Sequence, residues 1–310
     1  MSIAKKIQYN TFLVMASFQL LFVGNFAYGL TVGEELVEQQ KPLIITTIKP
    51  LAIIAKSAVG DKARVEYLQS AVQSAHDVSF PVSSLIKINQ ADLILWIGGG
   101  FEARIGKSMA LLPASKLLTV MDLDLLAAEH DVSTESSVVE EGAHQHEHQH
   151  EHLQFDPHVW LNPLNGNIIA ENIQQRLGLP ITPIMDAASI ARLKMELAPF
   201  KNKHYLTHHD AFGHFAFAFD LRDGQSIRDV SGASQGARSQ YLLRQKAKEI
   251  HAKCIFVEPQ YSDKDAQVIA RELKLTRTIL DSQGLNQPLS SDGYSKFIHS
   301  LVAQFKVCFQ

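Results

Sequence analysis

The stretch PLIITTIKPLAIIAKSAVGDKARVEYLQ, Pro42 to Gln69, decides the architecture. Its first part, PLIITTIKP (Pro42 to Pro50), is apolar and β-branched and reads as a buried strand. LAIIAKSAVG reads as a helix ending at Gly60, and ARVEYLQ (Ala63 to Gln69) as a second strand. Strand, helix and strand with short joints form a unit whose strands must run parallel under a covering helix. The alternation continues through FPVSSLIKINQ (helix), ADLILWIGGG (strand), FEARIGKSMALL (helix) and KLLTVMDL (strand). A second alternating series starts near Asn202. It opens with KHYLTHH, DAFGHFAFAF and QSIRDVS, followed by the helix GARSQYLLRQKAKEIHA, the strand KCIFVEP and the helix DKDAQVIARELK. The strand LTRTILD and a terminal helix, SDGYSKFIHSLVAQFKVC, complete it. The expected fold class is α/β, with two Rossmann-like lobes built on parallel sheets. Residues 164–200 should hold the connecting helix or helices: Ile190, Leu193 and Leu197 fall at helical spacing, and Pro180 and Pro183 should bound or interrupt the run.

The 310 residues suffice for two lobes of ordinary size. A net charge of -3 leaves no basic excess, so no nucleic-acid partner is expected. Residues 1–29 read as an export signal: Lys5 and Lys6, then an apolar stretch from Phe12 to Phe26, then a small-x-small site at Ala27–Gly29. An uncleaved anchor is the rival reading, disfavoured because the run is short and interrupted. The lobes are then assigned to 30–163 and 201–310, the first including a polar loop at 127–154. Export also bears on the two cysteines, Cys254 and Cys308, which suggest one disulfide rather than two buried thiols. Closing a loop of roughly fifty residues stabilises by about 4 kcal/mol in the chain-entropy model.

Fourteen histidines are the compositional anomaly. His76 in SAHDVSF, His158 in DPHVWLNP, and His208 and His209 in YLTHHDAFG all stand where an apolar run breaks into a loop, as does Asp281 in TILDSQG. Ligand sites in α/β lobes lie beyond the carboxyl ends of strands. Neutral imidazole is a good metal ligand and needs a partner on its other nitrogen. Asp77, Asp156 and Asp210 stand close by in sequence and can serve as such partners, or as caps and turn formers. The tract GAHQHEHQHEH is a different object: His144, His146, His148, His150 and His152 alternate with Gln and Glu, so an extended segment puts them on one face. Such composition points to loose accessory metal contact rather than one fixed geometry.

SAHDVSF, DPHVWLNP, HHDAFGHF, CIFVEPQYS and ILDSQG, in that order, resemble the metal-specific solute-binding proteins of bacterial ABC importers. The resemblance is strongest to the periplasmic zinc-binding components of high-affinity zinc-uptake systems, and it covers essentially all of the chain after the signal. It implies two α/β lobes joined by a long rigid helix, with metal in the cleft between them. It further implies His76, His158 and His209 as ligands, with Asp281 as a fourth, carboxylate ligand. His208, the strand neighbour of His209, should then point elsewhere. The two cysteines match a disulfide found in part of that family. The resemblance also implies Zn2+ as cargo, periplasmic location, and an inner-membrane permease with its ATPase as partners to a monomer. Two departures stand out. Ala75 occupies a position where some zinc binders of the family carry a Glu, which leaves Asp281 or water as the fourth ligand. The span between His158 and His209 is shorter than usual by roughly a dozen residues, or about three helical turns.

Three imidazoles and at most one carboxylate favour zinc over manganese, which prefers oxygen. Manganese or another divalent metal is the alternative within the family. The rival from another class is an exported zinc hydrolase, since three His with an open position also describes catalytic zinc. No H-E-x-x-H or nucleophile elbow is present, and Glu258 in FVEPQ is the one acidic candidate for a base. The expectation is a carrier, not an enzyme.

Overall fold

Leu43–Thr46 forms strand β1, every residue of which is buried, as expected for an aliphatic run covered on both faces. The chain is described here by a computed structural model covering residues 41–77, 80–126 and 156–310. The expected first strand is shorter than the apolar run: it stops at Thr46, and helix α1 (Lys49–Val59) takes up the Lys-Pro pair. Proline lacks an N–H and suits a first helical turn, so it opens α1 rather than closing β1. Strands β2 (Arg64–Tyr67), β3 (Leu93–Trp96) and β4 (Leu117–Thr119) complete a parallel sheet in the order β2-β1-β3-β4, with Ile44 opposite both Val65 and Leu93. Helices α2 (Val82–Gln90) and α3 (Ala103–Met109) connect the later strands.

The connector is two helices, not one. Helix α4 (Pro163–Arg176) starts on Asn162, whose side chain accepts from Leu164 N, with Pro163 in the first turn. It ends before Gly178, which has φ of 63°, and Pro180 and Pro183 follow. Helix α5 (Ala187–Leu197) restarts on Asp186, which accepts from Ser189 N. Side chains stitch the break. Asn167 accepts from Ile184 N and Met185 N, and Gln174 both donates to Thr182 O and accepts from Thr182 N.

The second sheet repeats the first. Strands β5 (Leu206–His209), β6 (Gln225–Arg228), β7 (Cys254–Val257) and β8 (Thr276–Ile279) run parallel in the order β6-β5-β7-β8. Helices α6 (Gly213–Ala218), α7 (Ala237–Glu249) and α8 (Lys264–Leu273) connect them, and α9 (Gly293–Val307) ends the chain. One face of this sheet packs aromatic rings, with Tyr205 and Phe256 against Phe305 of α9 at centroid distances of 5.4 Å or less. The other packs Leu206, Ile227 and Ile255 under Leu243 and Ile269. Cys254 of β7 bonds Cys308 just beyond α9, with Cα atoms 5.8 Å apart.

Helix α9 also reaches the first lobe. Tyr294 N donates to Ser57 Oγ of α1, and Tyr294 Oη donates to the carbonyl oxygens of Trp160 and Asn162. Gly166 of α4 makes this approach possible, since a Cβ there would lie 2.3 Å from the Tyr294 hydroxyl. The segment carrying His158 is thereby fixed at the junction of both lobes.

Candidate metal centre

His209 is the last residue of β5, and Glu258 directly follows β7, the adjacent strand. The chain order reverses between these two strands, so both side chains stand at the switch point where such sheets hold ligands. His209 Nδ1 lies 2.5 Å from Glu258 Oε1, and Ser282 Oγ donates to Glu258 Oε2 at 2.5 Å. His208 turns to the opposite face, as strand alternation requires, and its Nε2 lies 2.9 Å from Asp265 Oδ1.

His158 is set by its own motif. The Asp156 carboxylate accepts from His158 N at 2.9 Å and lies 2.7 Å from His158 Nδ1. With Nδ1–H held by a carboxylate, Nε2 keeps its lone pair. Two residues on, Trp160 Nε1 donates to Ser282 O, and the Trp160 ring stacks edge-on against His158 at 5.2 Å.

His76 comes from a 3-10 turn (Ala75–Asp77) in the loop after β2. The second lobe grips that loop: Tyr261 Oη bonds Ser74 Oγ at 2.8 Å, while Gln260 and Gln283 donate to the carbonyls of Ala71 and Gln73. Phe101 packs edge-on against the His76 ring at 4.6 Å. His76 Nε2 is buried with no hydrogen-bond partner.

The three imidazoles converge. His76, His158 and His209 each offer a ligand atom, all within 4.8 Å of one another. His158 Nε2 and His209 Nε2 are 3.2 Å apart. Two nitrogens on one tetrahedral zinc, each about 2.05 Å from it, sit about 3.3 Å apart. The pair is therefore already spaced for a single tetrahedral cation, and His76 supplies a third nitrogen.

Burial, reinforced by the two neighbouring imidazoles, pushes His76 down to about 2. Burial also lowers His158, despite Asp156. His209 differs: burial pulls it down, but the carboxylate of Glu258, with Asp210 and Asp156 beyond, outweighs this and raises it. Glu258 is correspondingly lowered, its burial being outweighed by His209 and Ser282. Of the three imidazoles, His209 is thus the one shifted toward the protonated form, with Glu258 beside its Nδ1.

The profile of the family described as "Zinc-uptake complex component A periplasmic" matches residues 44–179 and 187–308. The chain belongs to this family. The high-affinity zinc uptake system protein ZnuA of Haemophilus ducreyi is 28% identical over 286 residues, covering 86% of this chain and 92% of the relative. Its namesake in Yersinia pestis is 27% identical over 289 residues, covering 86% and 90%. The solved structure of the periplasmic zinc binding protein TroA from Treponema pallidum matches this fold with a TM-score of 0.64. It is 22% identical, and the match spans 85% of this chain and 99% of that one. The family match breaks between 179 and 187, where α4 gives way to α5.

Asp281 does not join the three histidines in the convergent group. Its carboxylate accepts three hydrogen bonds within the second lobe. Oδ1 accepts from Gln260 Nε2 and Gln283 N, and Oδ2 from Leu285 N. The partner of His209 is Glu258, four residues after Cys254, rather than the adjacent Asp210. A signal for it exists in CIFVEP, a carboxylate at the end of a buried strand, yet the sequence alone suggested a base and not an imidazole partner. The importance of Ser282 had no such signal. Residues 1–29, the tract with His144, His146, His148, His150 and His152, and the side chain of Asp77 lie outside the described residues.

Proposed function

We propose that this protein is a non-catalytic carrier that captures Zn2+ in the periplasm and delivers it to an inner-membrane permease driven by an ATPase. The observation that carries the reading is the convergence of His76, His158 and His209, with the two Nε2 atoms at tetrahedral-zinc spacing. Three neutral-imidazole positions form a nitrogen-rich, borderline-soft set, which suits zinc better than manganese. Asp281 is engaged elsewhere and Ala75 offers no donor, so water completes the shell. Both oxygens of Glu258 are taken, by His209 and Ser282, which argues against a free general base and hence against a hydrolase. The family membership and the zinc-uptake names of the relatives support zinc as cargo. Residues 1–29 serve as the export signal, the lobes are 30–163 and 201–310 around the connector 164–200, the His tract is accessory, and the carrier acts as a monomer.

The test is zinc stoichiometry and affinity by competition with a chelator. The protein should bind one tight zinc, keep it when 142–153 is deleted, and lose it in His76→Ala, His158→Ala and His209→Ala. Tight binding that disappears with the deleted loop and survives the three substitutions would sink the reading.

A further inference from the structure

His158 and His209 lie 51 residues apart in sequence and arrive at the site on different elements, yet their Nε2 atoms meet at 3.2 Å. One residue touches the supports of both. The Ser282 hydroxyl donates to Glu258 Oε2, and the other oxygen of that carboxylate holds His209 Nδ1. The Ser282 carbonyl accepts from Trp160 Nε1, and Trp160 lies two residues beyond His158 with its ring against the imidazole. Ser282 is itself immobilised. It is 2% exposed, and the Asp281 carboxylate next to it accepts from Gln283 N and Leu285 N while Asp281 N donates to Gln304 Oε1.

We propose that Ser282 is a positioning residue that sets the spacing of His158 and His209, acting on one through Glu258 and on the other through Trp160. This rests on the zinc-carrier reading above. Each partner leaves Ser282 by a different atom, so the two arms are separable by substitution. Loss of the hydroxyl leaves Glu258 Oε2 without a donor and frees the carboxylate to rotate, and with it the His209 ring. Loss of the Trp160 N–H releases the other arm and leaves the hydroxyl in place.

The experiment uses the purified protein with zinc, and with Co2+ as a spectroscopic probe of ligand geometry. Outer partners of metal ligands typically contribute about 10- to 100-fold in affinity. Ser282→Ala should weaken zinc binding roughly tenfold, at the low end because it acts through Glu258. It should also alter the Co2+ d–d absorption, and Ser282→Thr, which keeps the hydroxyl, should restore both. In a Glu258→Ala background, Ser282→Ala should add nothing, since its route to His209 is already cut. Trp160→Phe should alter the Co2+ spectrum independently of Glu258. If Ser282→Ala fails to fold, Ser282→Gly, which also lacks the hydroxyl, carries the same comparison. Wild-type zinc affinity and an unchanged Co2+ spectrum in the Ala or Gly variant would overturn the proposal, as would effects of Ser282→Ala and Glu258→Ala that simply add. If instead the unsubstituted protein holds no zinc on the three histidines, the carrier reading itself has failed, and the two failures are distinct.

Discussion

His158 Nε2 faces His209 Nε2 at 3.2 Å, within hydrogen-bond reach when either nitrogen carries a hydrogen. His158 and His76 are both lowered, chiefly by burial, whereas His209 is raised by Glu258 against its own burial. Of the three, His209 is the one shifted toward holding a proton, upward from the ordinary 6.5 of histidine.

Zinc must displace that proton. As pH falls through the raised His209 pKa, the imidazolium fills and zinc affinity drops. At pH above it the competition disappears. Near pH 6, binding should release about one proton, not two or three, because the other imidazoles are already neutral. Calorimetry in buffers of different ionisation enthalpy reads this number directly. A release near three would mean that the neighbouring imidazoles are also protonated in the metal-free site.

Asp281 provides a second check. Its carboxylate ties Gln260, Gln283 and Leu285 together and is absent from the convergent ligand group. Asp281→Asn removes one acceptor from Leu285 N and should destabilise by about 1–3 kcal/mol, the cost of an unsatisfied buried donor. The bound Co2+ should keep its absorption spectrum. A changed spectrum with unchanged stability would put the carboxylate on the metal.

The two sheets were legible because their strands are short aliphatic runs bounded by glycine, proline or charge, as in Leu43–Thr46 and Cys254–Val257. The three histidines were legible for a related reason: each interrupts an apolar run, and polar residues at strand ends face the ligand crevice. The Lys49–Pro50 boundary was misjudged because hydrophobicity alone continues through Ile48, and only proline's preference for a first turn separates strand from helix. Glu258 and Ser282 illustrate a deeper limit. Their roles depend on which atoms meet across strands 49 and 24 residues apart, and no local pattern records that. Asp281 stands outside the convergent group, and its position at a strand end does not tell a loop-holding carboxylate from a metal ligand.

The disulfide closes a separation of 54 residues between β7 and the end of α9. The chain-entropy model assigns such a loop about 4 kcal/mol. Cys254→Ala with Cys308→Ala should therefore lower the urea midpoint by a corresponding amount, measured with and without bound zinc. Zinc stoichiometry in the folded variant should remain one, because the imidazoles are held by Asp156, Glu258 and Ser282. An unchanged midpoint would show that the packing of α9, with Phe305 against Tyr205 and Phe256, already confines that segment.

Glu102 gives a pH signature apart from the metal ligands. Only 1% exposed, it accepts through Oε2 from Ile97 N and Gly98 N and so closes the glycine turn after β3, immediately before α3. Burial raises it from 4.5 to about 7, against the opposing hydrogen bonds. The folded protein then holds a proton that the unfolded chain has released between those two values. Stability should fall as pH rises from about 4.5 to 7 and level off above, a loss on the order of 3 kcal/mol. Glu102→Gln mimics the protonated side chain and cannot ionise. Denaturant melts should find the variant similar to the parent at pH 5 and more stable at pH 8. Parallel pH profiles for the two proteins would show that Glu102 stays ionised in its buried turn.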